Sequence, residues 1–230
     1  MMRLASIPLA PRAAPVRRRR IAAAPAFAPR LIVMVKEPAV GRVKTRLARD
    51  IGPVQAAATY RKTLRAVLAR LDRPGRWRTE LGVTPDGALC SAAWPRNLPR
   101  RAQGSGDLGR RMQRLIDKAP PGPVVLVGSD VPTINAEHIG AAVKALGAHD
   151  AVFGPSPDGG YWLVGLKRRP RIPRAFACVP WSSSAALERT LANLSGLDIA
   201  RIASLRDVDV VADLGAAGGA LGRVILPVRR

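Results

Sequence analysis

The sequence contains few of the residues that form metal clusters, disulfides and stacking surfaces. Only two cysteines (Cys90 and Cys178) and two histidines (His138 and His149) occur among 230 residues, and their spacing matches no zinc site or disulfide framework. We therefore predict that both thiols are small buried hydrophobic side chains. Aromatic residues make up only 4% of the chain, which argues against a stacking platform for single-stranded nucleic acid.

Acidic residues are also scarce, with 16 against 38 basic residues and a formal net charge of +22. Seven arginines and no acid fall within residues 1–30, so +15 remains for residues 31–230 when the seven are subtracted from the +22. A basic surface favours anionic partners. An arginine excess among alanine, proline and glycine also follows from GC-rich coding, so the charge alone does not identify a partner.

No segment has the roughly 18 consecutive apolar residues that a membrane-spanning helix needs. Residues 1–29 predict a disordered basic N-terminal arm, because Pro25 and Pro29 break its apolar stretch and leave no convincing export signal. We expect a cytoplasmic protein with one domain over residues 30–215 and a C-terminal tail, 216–230, that packs on this domain or extends it. The sequence does not decide whether the arm contacts membrane or nucleic acid, or whether the protein forms a homo-oligomer.

Strand and helix patterns alternate along the chain. The continuous apolar run LIVMV (31–35) is typical of a strand buried on both faces. Further strands are predicted at 79–84, 123–130, 150–155, 161–166 and from residue 200, and helices at 54–71, 106–117 (capped by Asp107), 135–146 (capped by Asn135) and 182–194. This alternation predicts an α/β fold with a mostly parallel mixed sheet and helices on both faces, in three layers α/β/α.

Three polar motifs directly follow predicted strands: KEPAVGRVKTR (36–46), GSDVP (128–132) and SPDGG (156–160). Ligands of such sheets bind outside the carboxyl ends of the strands, so we expect all three motifs to meet at one edge. The first is not a Walker A loop, because two residues separate Gly41 from Lys44. Lys44 and Arg46 suit the two phosphates of a nucleotide diphosphate, although a solvated basic loop is the alternative.

The acidic motifs suggest a metal site. Asp130 ends a buried strand, where a hard cation could bind it together with phosphate oxygens, or where it could cap a turn. Asp207 and Asp209 alternate and would share one face of an extended strand. Two such carboxylates repel unless a cation or an arginine lies between them, and a solvated acidic turn is the alternative.

Two glycine-rich motifs give weaker signals. Asp158-Gly159-Gly160 forms a loop whose backbone could approach a ligand closely, or a hairpin turn. QGSGDLGRRM (103–112) is a polar entry to a helix, and a helix amino terminus can receive an anionic group.

Taken in order, KEPAVGRVKTRLA, QGSGDLGRRM, GSDVPTI, GPSPDGGYWLVGL, PWSSSAAL and LRDVDVVADL resemble a largely uncharacterised bacterial family of GT-A-type glycosyltransferases. Its members often bear the name nucleotide-diphospho-sugar transferase, and some are assigned to arsenosugar biosynthesis. The sequence is also similar to 2-phospholactate guanylyltransferase and the molybdenum-cofactor nucleotidyltransferases. The resemblance covers about residues 30–215. Here VVADL replaces the family's usual Thr-Pro-Glu-Asp-Leu, and Lys36-Glu37-Pro38 replaces its usual first loop.

The resemblance implies a Rossmann-like GT-A fold, a nucleotide-activated donor, a small-molecule acceptor and a divalent cation, Mg²⁺ or Mn²⁺. It also implies roles for residues at matching positions. These are catalysis by Lys44, Arg46 and Asp158; nucleotide binding by Lys36, Gly41, Lys44, Thr45, Arg46, Gly128 and Ser129; acceptor binding by Gly159, Gly160, Tyr161 and Trp181; and metal binding by Asp130, Asp207 and Asp209.

Three functions follow in order of preference. The first is a metal-dependent glycosyltransferase that uses a nucleotide-diphospho-sugar. The second is a nucleotidyltransferase on the same fold, in which an acceptor phosphate attacks a nucleoside triphosphate. The third is a non-enzymatic nucleic-acid binder, whose binding would weaken sharply with salt.

Overall fold

The computed structural model describes residues 27–207. The predicted arm up to residue 26, the tail 216–230 and Asp209 lie outside the described residues, and the division into domains stays a prediction. Residues 27–29 pack on the fold: Ala28 is buried, and the Pro29 carbonyl accepts a hydrogen bond from the Arg78 amide at 2.9 Å. No helix within 27–207 is long and apolar enough to cross a membrane.

Within residues 27–207, seven strands and five helices form the fold. In chain order they are β1 (Arg30–Lys36), α1 (Thr45–Ile51), α2 (Pro53–Leu71), β2 (Arg78–Thr84), β3 (Arg100–Ala102), α3 (Leu108–Lys118), β4 (Val124–Gly128), α4 (Ala136–Ala148), β5 (Ala151–Pro155), β6 (Tyr161–Leu166), α5 (Ala186–Ala192) and β7 (Ile199–Arg201). The 3-10 turn Asp86–Ala88 follows β2.

All seven strands lie in one mixed sheet in the order β3-β2-β1-β4-β6-β5-β7. Every neighbouring pair is parallel except those that involve β6, which runs antiparallel to β4 and β5. The carboxyl ends of β1, β2, β4 and β5 therefore share an edge with the amino end of β6. The β5–β6 hairpin loop therefore lies at the same edge of the sheet as the loops that follow β1, β2 and β4.

The sheet is covered on both faces, so its central strands are apolar on both sides. One cluster joins Leu31, Val33 and Val35 of β1 to α2 and α4, and the other joins Ile32 to α3 and the region around α5. Alternate residues of a strand point to opposite faces, which is why LIVMV needs no polar position. This confirms the predicted Rossmann-like α/β fold with helices on both faces.

Local signals fix the starts of the long helices. Pro53 occupies the first turn of α2, where its missing N–H costs nothing. The Asp107 carboxylate accepts from the Arg110 amide at the start of α3, at 2.8 Å. Asn135 caps α4 and receives the Glu137 and His138 amides, while the His138 imidazole accepts from the Asn135 amide in return. The predicted caps at Asp107 and Asn135 are confirmed.

Three expectations differ from the structure. Helix α1 and strand β3 were not anticipated, because both are too short to show a period. The helix predicted at 182–194 is formed only over Ala186–Ala192, since Ser182 has a positive φ of 63° that no helix tolerates. The prediction that both thiols are buried is wrong: Cys90 and Cys178 lie in loops and are exposed.

Candidate active site

A cavity of about 560 Å³ opens at the carboxyl edge of the sheet. It is lined by the loops after β1, β2 and β4, by the β5–β6 loop, by one side of α3 and by the segment before α5. Among residues 27–207, five cations and three acids line it, namely Lys36, Arg42, Lys44, Arg46, Arg111, Asp130, Asp158 and Asp207. Such an excess of fixed positive charge favours an anionic ligand.

The loop after β1 turns sharply and delivers its cations into this cavity. Gly41 has a φ of 76°, a conformation that glycine adopts without steric cost. Lys44 has φ 47° and ψ 48°, a left-handed conformation, directly before α1. Its ammonium Nζ lies 3.2 Å from Oδ2 of Asp130, although the two residues are 86 positions apart. The expectation that the cationic loop and Asp130 share one pocket is therefore confirmed.

Residues of α2 hold the ends of β1 and β4 together beneath the cavity. The Tyr60 hydroxyl accepts a hydrogen bond from the Lys36 amide at 3.0 Å and lies 3.1 Å from the Ser129 hydroxyl. Arg70 donates to the carbonyl of Pro132 and so fixes the loop that carries Asp130. Helix α2 therefore fixes the residues on either side of Asp130 and so helps to position its carboxylate.

Tyr60 also lines the cavity, although the sequence analysis did not identify it as a candidate site residue. Burial raises the pKa of its phenol above the usual value, and the hydrogen bonds with Ser129 and Lys36 oppose that rise. The phenol is therefore neutral at physiological pH and acts as a fixed link between two strand ends. Its position on the apolar face of α2 gave no signal that could separate it from a packing residue.

The β5–β6 loop forms another wall. The Asp158 side chain is exposed and its Oδ1 accepts from the Gly160 amide at 3.0 Å. Gly159 has a φ of 83°, and a Cβ atom there would lie 2.0 Å from the Ser184 carbonyl oxygen. The Leu187 amide also donates to the Gly159 carbonyl at 3.0 Å. This loop is consequently locked against the segment that leads into α5.

Aromatic rings line the cavity near that loop. Tyr161 packs edge-on against Phe153 at 5.2 Å between ring centroids and against Trp181 at 6.4 Å. Burial raises the pKa of the Tyr161 phenol, and a hydrogen bond with Thr190 opposes the rise only partly. Tyr161 therefore offers a neutral surface and is not a general base near neutral pH.

The carboxylates in the cavity fit a hard divalent cation. Asp130 and Asp207 both line it, and the Asp130 side chain is 39% exposed. Within residues 27–207 no three His, Cys, Asp or Glu residues form a complete metal cluster. Magnesium commonly binds one or two carboxylates and takes its remaining ligands from substrate phosphates and water, so Asp130 and Asp207 are the residues of this lining that would hold such a cation.

Most of the predicted site residues meet in this cavity, although their roles stay predictions. Gly41 and Gly159 do not line it and act by shaping the turns on either side. The lining includes Lys36, Lys44, Thr45, Arg46, Gly128, Ser129, Asp130, Asp158, Gly160, Tyr161, Trp181 and Asp207. Sequence reasoning missed Arg42, Tyr60, Gln103 and Arg111; the last two belong to the motif at 103–112, whose signal was weak by itself.

Solved structures share this architecture. A structure described as a "putative nucleotide-diphospho-sugar transferase" from Desulfovibrio desulfuricans G20 is 29% identical, with a TM-score of 0.77 over 83% of this chain and 86% of that chain. The 4-diphosphocytidyl-2C-methyl-D-erythritol synthase of Anaerococcus prevotii DSM 20548 is 11% identical, with a TM-score of 0.57 over 86% and 97%. A homologue of Mycobacterium tuberculosis rv0371c from Mycobacterium sp. strain JC1 is 13% identical, with a TM-score of 0.52 over 84% and 96%. The last two likenesses show the fold alone.

The fold and the cavity at its carboxyl edge define the protein as a transferase with a Rossmann-like mixed sheet. The chain belongs to the family described as "Uncharacterized protein conserved in bacteria (DUF2064)", which matches residues 67–183, just over half of the sequence. No curated protein matches the chain in sequence.

Proposed function

We propose that the protein is a metal-dependent glycosyltransferase that uses a nucleotide-diphospho-sugar donor. The observation that carries this proposal is the 3.2 Å contact between Lys44 and Asp130, because the loop that we propose binds phosphate and the carboxylate that we propose binds metal then lie in one cavity. The 29% identical structure, which covers most of both chains, supports this class of donor.

The cations of the first loop act on the leaving group. When the bond between the sugar carbon and the diphosphate breaks, its electron pair stays with the phosphate oxygen and negative charge grows there. Lys44 and Arg46 line the cavity on the side of β1, where fixed positive charges stabilise that developing charge. Electrostatic stabilisation by groups that are already in position is commonly the largest catalytic contribution.

Asp130, together with Asp207 or Asp209, would hold the divalent cation. When bound, Mg²⁺ or Mn²⁺ offsets the charge of the donor diphosphate and orients it. The Lys44 ammonium already balances part of the charge of Asp130, so the carboxylate is kept in place before any ligand arrives.

The acceptor binds beside the β5–β6 loop in this proposal. Asp158 orients the acceptor hydroxyl and takes its proton as the new carbon–oxygen bond forms. One carboxylate oxygen of Asp158 is engaged by the Gly160 amide, which fixes the orientation of the group. Tyr161 and Trp181 supply a neutral wall against which the acceptor packs.

A nucleotidyltransferase on the same fold is the second candidate, because the cations that line the cavity suit a nucleoside triphosphate as well as a diphosphate. In that reaction an oxygen of an acceptor phosphate attacks the α-phosphate of a nucleoside triphosphate, and pyrophosphate leaves. The same cations would then stabilise the pyrophosphate.

Product analysis tests the proposal. The protein is incubated with Mn²⁺ and a panel of nucleotide sugars, or with the four nucleoside triphosphates and sugar phosphates. Release of a nucleoside diphosphate from a nucleotide sugar, with water as a slow acceptor, is the expected result, whereas pyrophosphate release would support the second candidate. Ligand at 100 times its dissociation constant should stabilise the protein by about 2.7 kcal/mol. If no nucleotide raises the unfolding temperature, both candidates are wrong.

A further inference from the structure

Gln103 is a buried amide on the connection from β3 to α3, with only 2% of its surface exposed. Its side-chain nitrogen Nε2 donates to the carbonyls of Val35 and Gly82, at 3.2 and 2.7 Å. Its main-chain N–H donates to the carbonyl of Val83 at 2.9 Å. The side chain is therefore held by the main chains of both β1 and β2. The remaining atom, the amide oxygen Oε1, accepts a hydrogen bond from Nη1 of Arg111 at 3.2 Å.

Arg111 is thus fixed in place but not neutralised. Its Nε makes a long hydrogen bond to the Asp107 carbonyl at 3.4 Å, and its Nη2 has no partner anywhere in the described part of the chain. No carboxylate of residues 27–207 lies within ion-pair distance of it, whereas Arg101 pairs with Glu80 and Arg174 with Asp117. The Arg111 guanidinium is thus held by the buried Gln103 amide and lines the cavity. This arrangement suits it to bind a ligand.

Its position in the cavity indicates which part of the ligand it receives. Arg111, Gln103 and Thr84 lie at the end beside β2 and β3, while Lys44 and Asp130 lie between, over β1 and β4. Tyr161 lies at the other end, at the amino end of β6, and Trp181 packs beside it and against the first turn of α3 at Gly109. If the proposed function holds, a diphosphate at the centre leaves the nucleoside on one side and the transferred group with its acceptor on the other. The acceptor elements occupy the β5–β6 end, so the nucleoside faces Arg111.

We infer that Arg111, positioned by Gln103, reads the base of the nucleotide and selects one that presents a carbonyl oxygen, with guanine as the best match. This inference rests on the proposed function and adds its base specificity. The guanidinium carries only donors, so its partner must be an acceptor. Guanine presents O6 and N7 to the two donors of an arginine, and uracil and cytosine present one carbonyl edge, whereas adenine places an amino group where guanine has O6.

Binding of nucleoside diphosphates to the full chain in the presence of Mg²⁺ tests the inference, with GDP, UDP, CDP and ADP as probes. We expect the wild type to bind a carbonyl-bearing base more tightly than ADP. In Arg111→Gln the affinity for the preferred base should fall by roughly 10- to 100-fold, because a charged hydrogen bond is lost. The affinity for ADP should change by less than about 2-fold, so the preference between bases should collapse.

Two further variants make the result decisive. Arg110→Gln removes a neighbouring exposed arginine of α3 that does not line the cavity, and it should leave all four affinities unchanged. Arg111→Lys keeps the charge but not the fork of donors, so it should lose the base preference as Arg111→Gln does. Arg111→Gln could instead lose affinity equally for all four diphosphates, with Arg111→Lys restoring that affinity. This result would mean that Arg111 binds phosphate, and it would overturn the inference.

Two other results also overturn it. A wild type that prefers ADP, or that binds all four diphosphates equally, contradicts base selection by Arg111 while leaving the proposed function standing. A wild type that binds none of the four rejects the proposed function together with the inference. Thermal unfolding of each variant without ligand confirms that a lost affinity does not reflect lost folding.

Discussion

Lys44 combines two features that are each unfavourable on their own. Its backbone is left-handed, which costs a non-glycine residue roughly 1–2 kcal/mol, and its ammonium-bearing side chain is only 11% exposed. A strained backbone persists where the surrounding structure fixes it, and such strain clusters at functional sites. The contact with Asp130 offsets the loss of hydration. This concentration of costs at a single lysine is the strongest indication from one residue that the cavity is used.

Replacement of Lys44 should separate catalysis from stability. In Lys44→Ala we expect turnover to fall by about 10²- to 10³-fold, because a fixed positive charge is lost beside the leaving group. Lys44→Gly should lose as much turnover but unfold at a higher temperature than Lys44→Ala, because both variants lose the contact with Asp130 and only glycine relieves the left-handed strain. Steady-state kinetics and thermal unfolding measure the two effects.

Arg49→Gln is the matched control for these variants, because Arg49 lies on helix α1, which Lys44 directly precedes, is exposed and does not line the cavity. Its turnover should equal that of the wild type. Wild-type turnover in Lys44→Ala would remove the first loop from the mechanism.

The contact between the β5–β6 loop and the segment before α5 is a feature of whole elements. Gly159 has no room for a side chain, because the Ser184 carbonyl fills the space where a Cβ atom would lie. Ser183 and Ala186 line the cavity next to this contact. Any displacement of the segment should therefore change the shape of the acceptor end of the site.

Gly159→Ala should destabilise the fold by about 3 kcal/mol or more, since it adds backbone strain and a steric clash and breaks the hydrogen bond from the Leu187 amide. Gly196→Ala is the control: Gly196 has nearly the same φ, 85°, but nothing within 4 Å of the added carbon. In this control the free energy of unfolding should fall by only about 1 kcal/mol. Denaturant unfolding measures both, and equal losses would show that the contact contributes nothing.

Elements with a long period or a clear cap were predictable, and short ones were not. Helices α2, α3 and α4 follow from apolar spacing, from Pro53 and from the caps Asp107 and Asn135. Helix α1 has seven residues and one buried side chain, Leu47, which is too few to show an amphipathic face. Strand β3 has three residues that are all only partly buried. Their formation depends on neighbours that are distant in sequence.

On the scale of the whole molecule, the strong positive charge is divided between the first residues and the fold. Residues 1–26 contain six arginines and no acid, while the site lies at the carboxyl edge of the sheet. A chain that starts at Phe27 should keep the nucleotide-dependent rise in unfolding temperature. It should also lose most of any salt-sensitive binding to duplex DNA. The slope of the logarithm of the binding constant against the logarithm of the salt concentration should be smaller in magnitude by up to about 5.

Titration of DNA binding against salt, and thermal unfolding with and without nucleotide, measure these outcomes for both chains. Loss of the nucleotide effect in the shorter chain would place residues 1–26 in the site. The start at Phe27 preserves the packing of Ala28 and the hydrogen bond to Pro29, so the fold itself should be unaffected.

The layers of the fold and the edge that carries the cavity were predictable without the structure. A run such as LIVMV must be buried on both faces, alternating strands and helices give a covered sheet, and motifs after parallel strands meet at one edge. The sequence by itself could not determine that Lys44 meets Asp130, that Tyr60 joins two strand ends, or that Gln103 holds Arg111 open toward the cavity. Those contacts join residues from different strands and layers, and only the order of strands in the sheet and the packing of α2 and α3 on its faces bring them together.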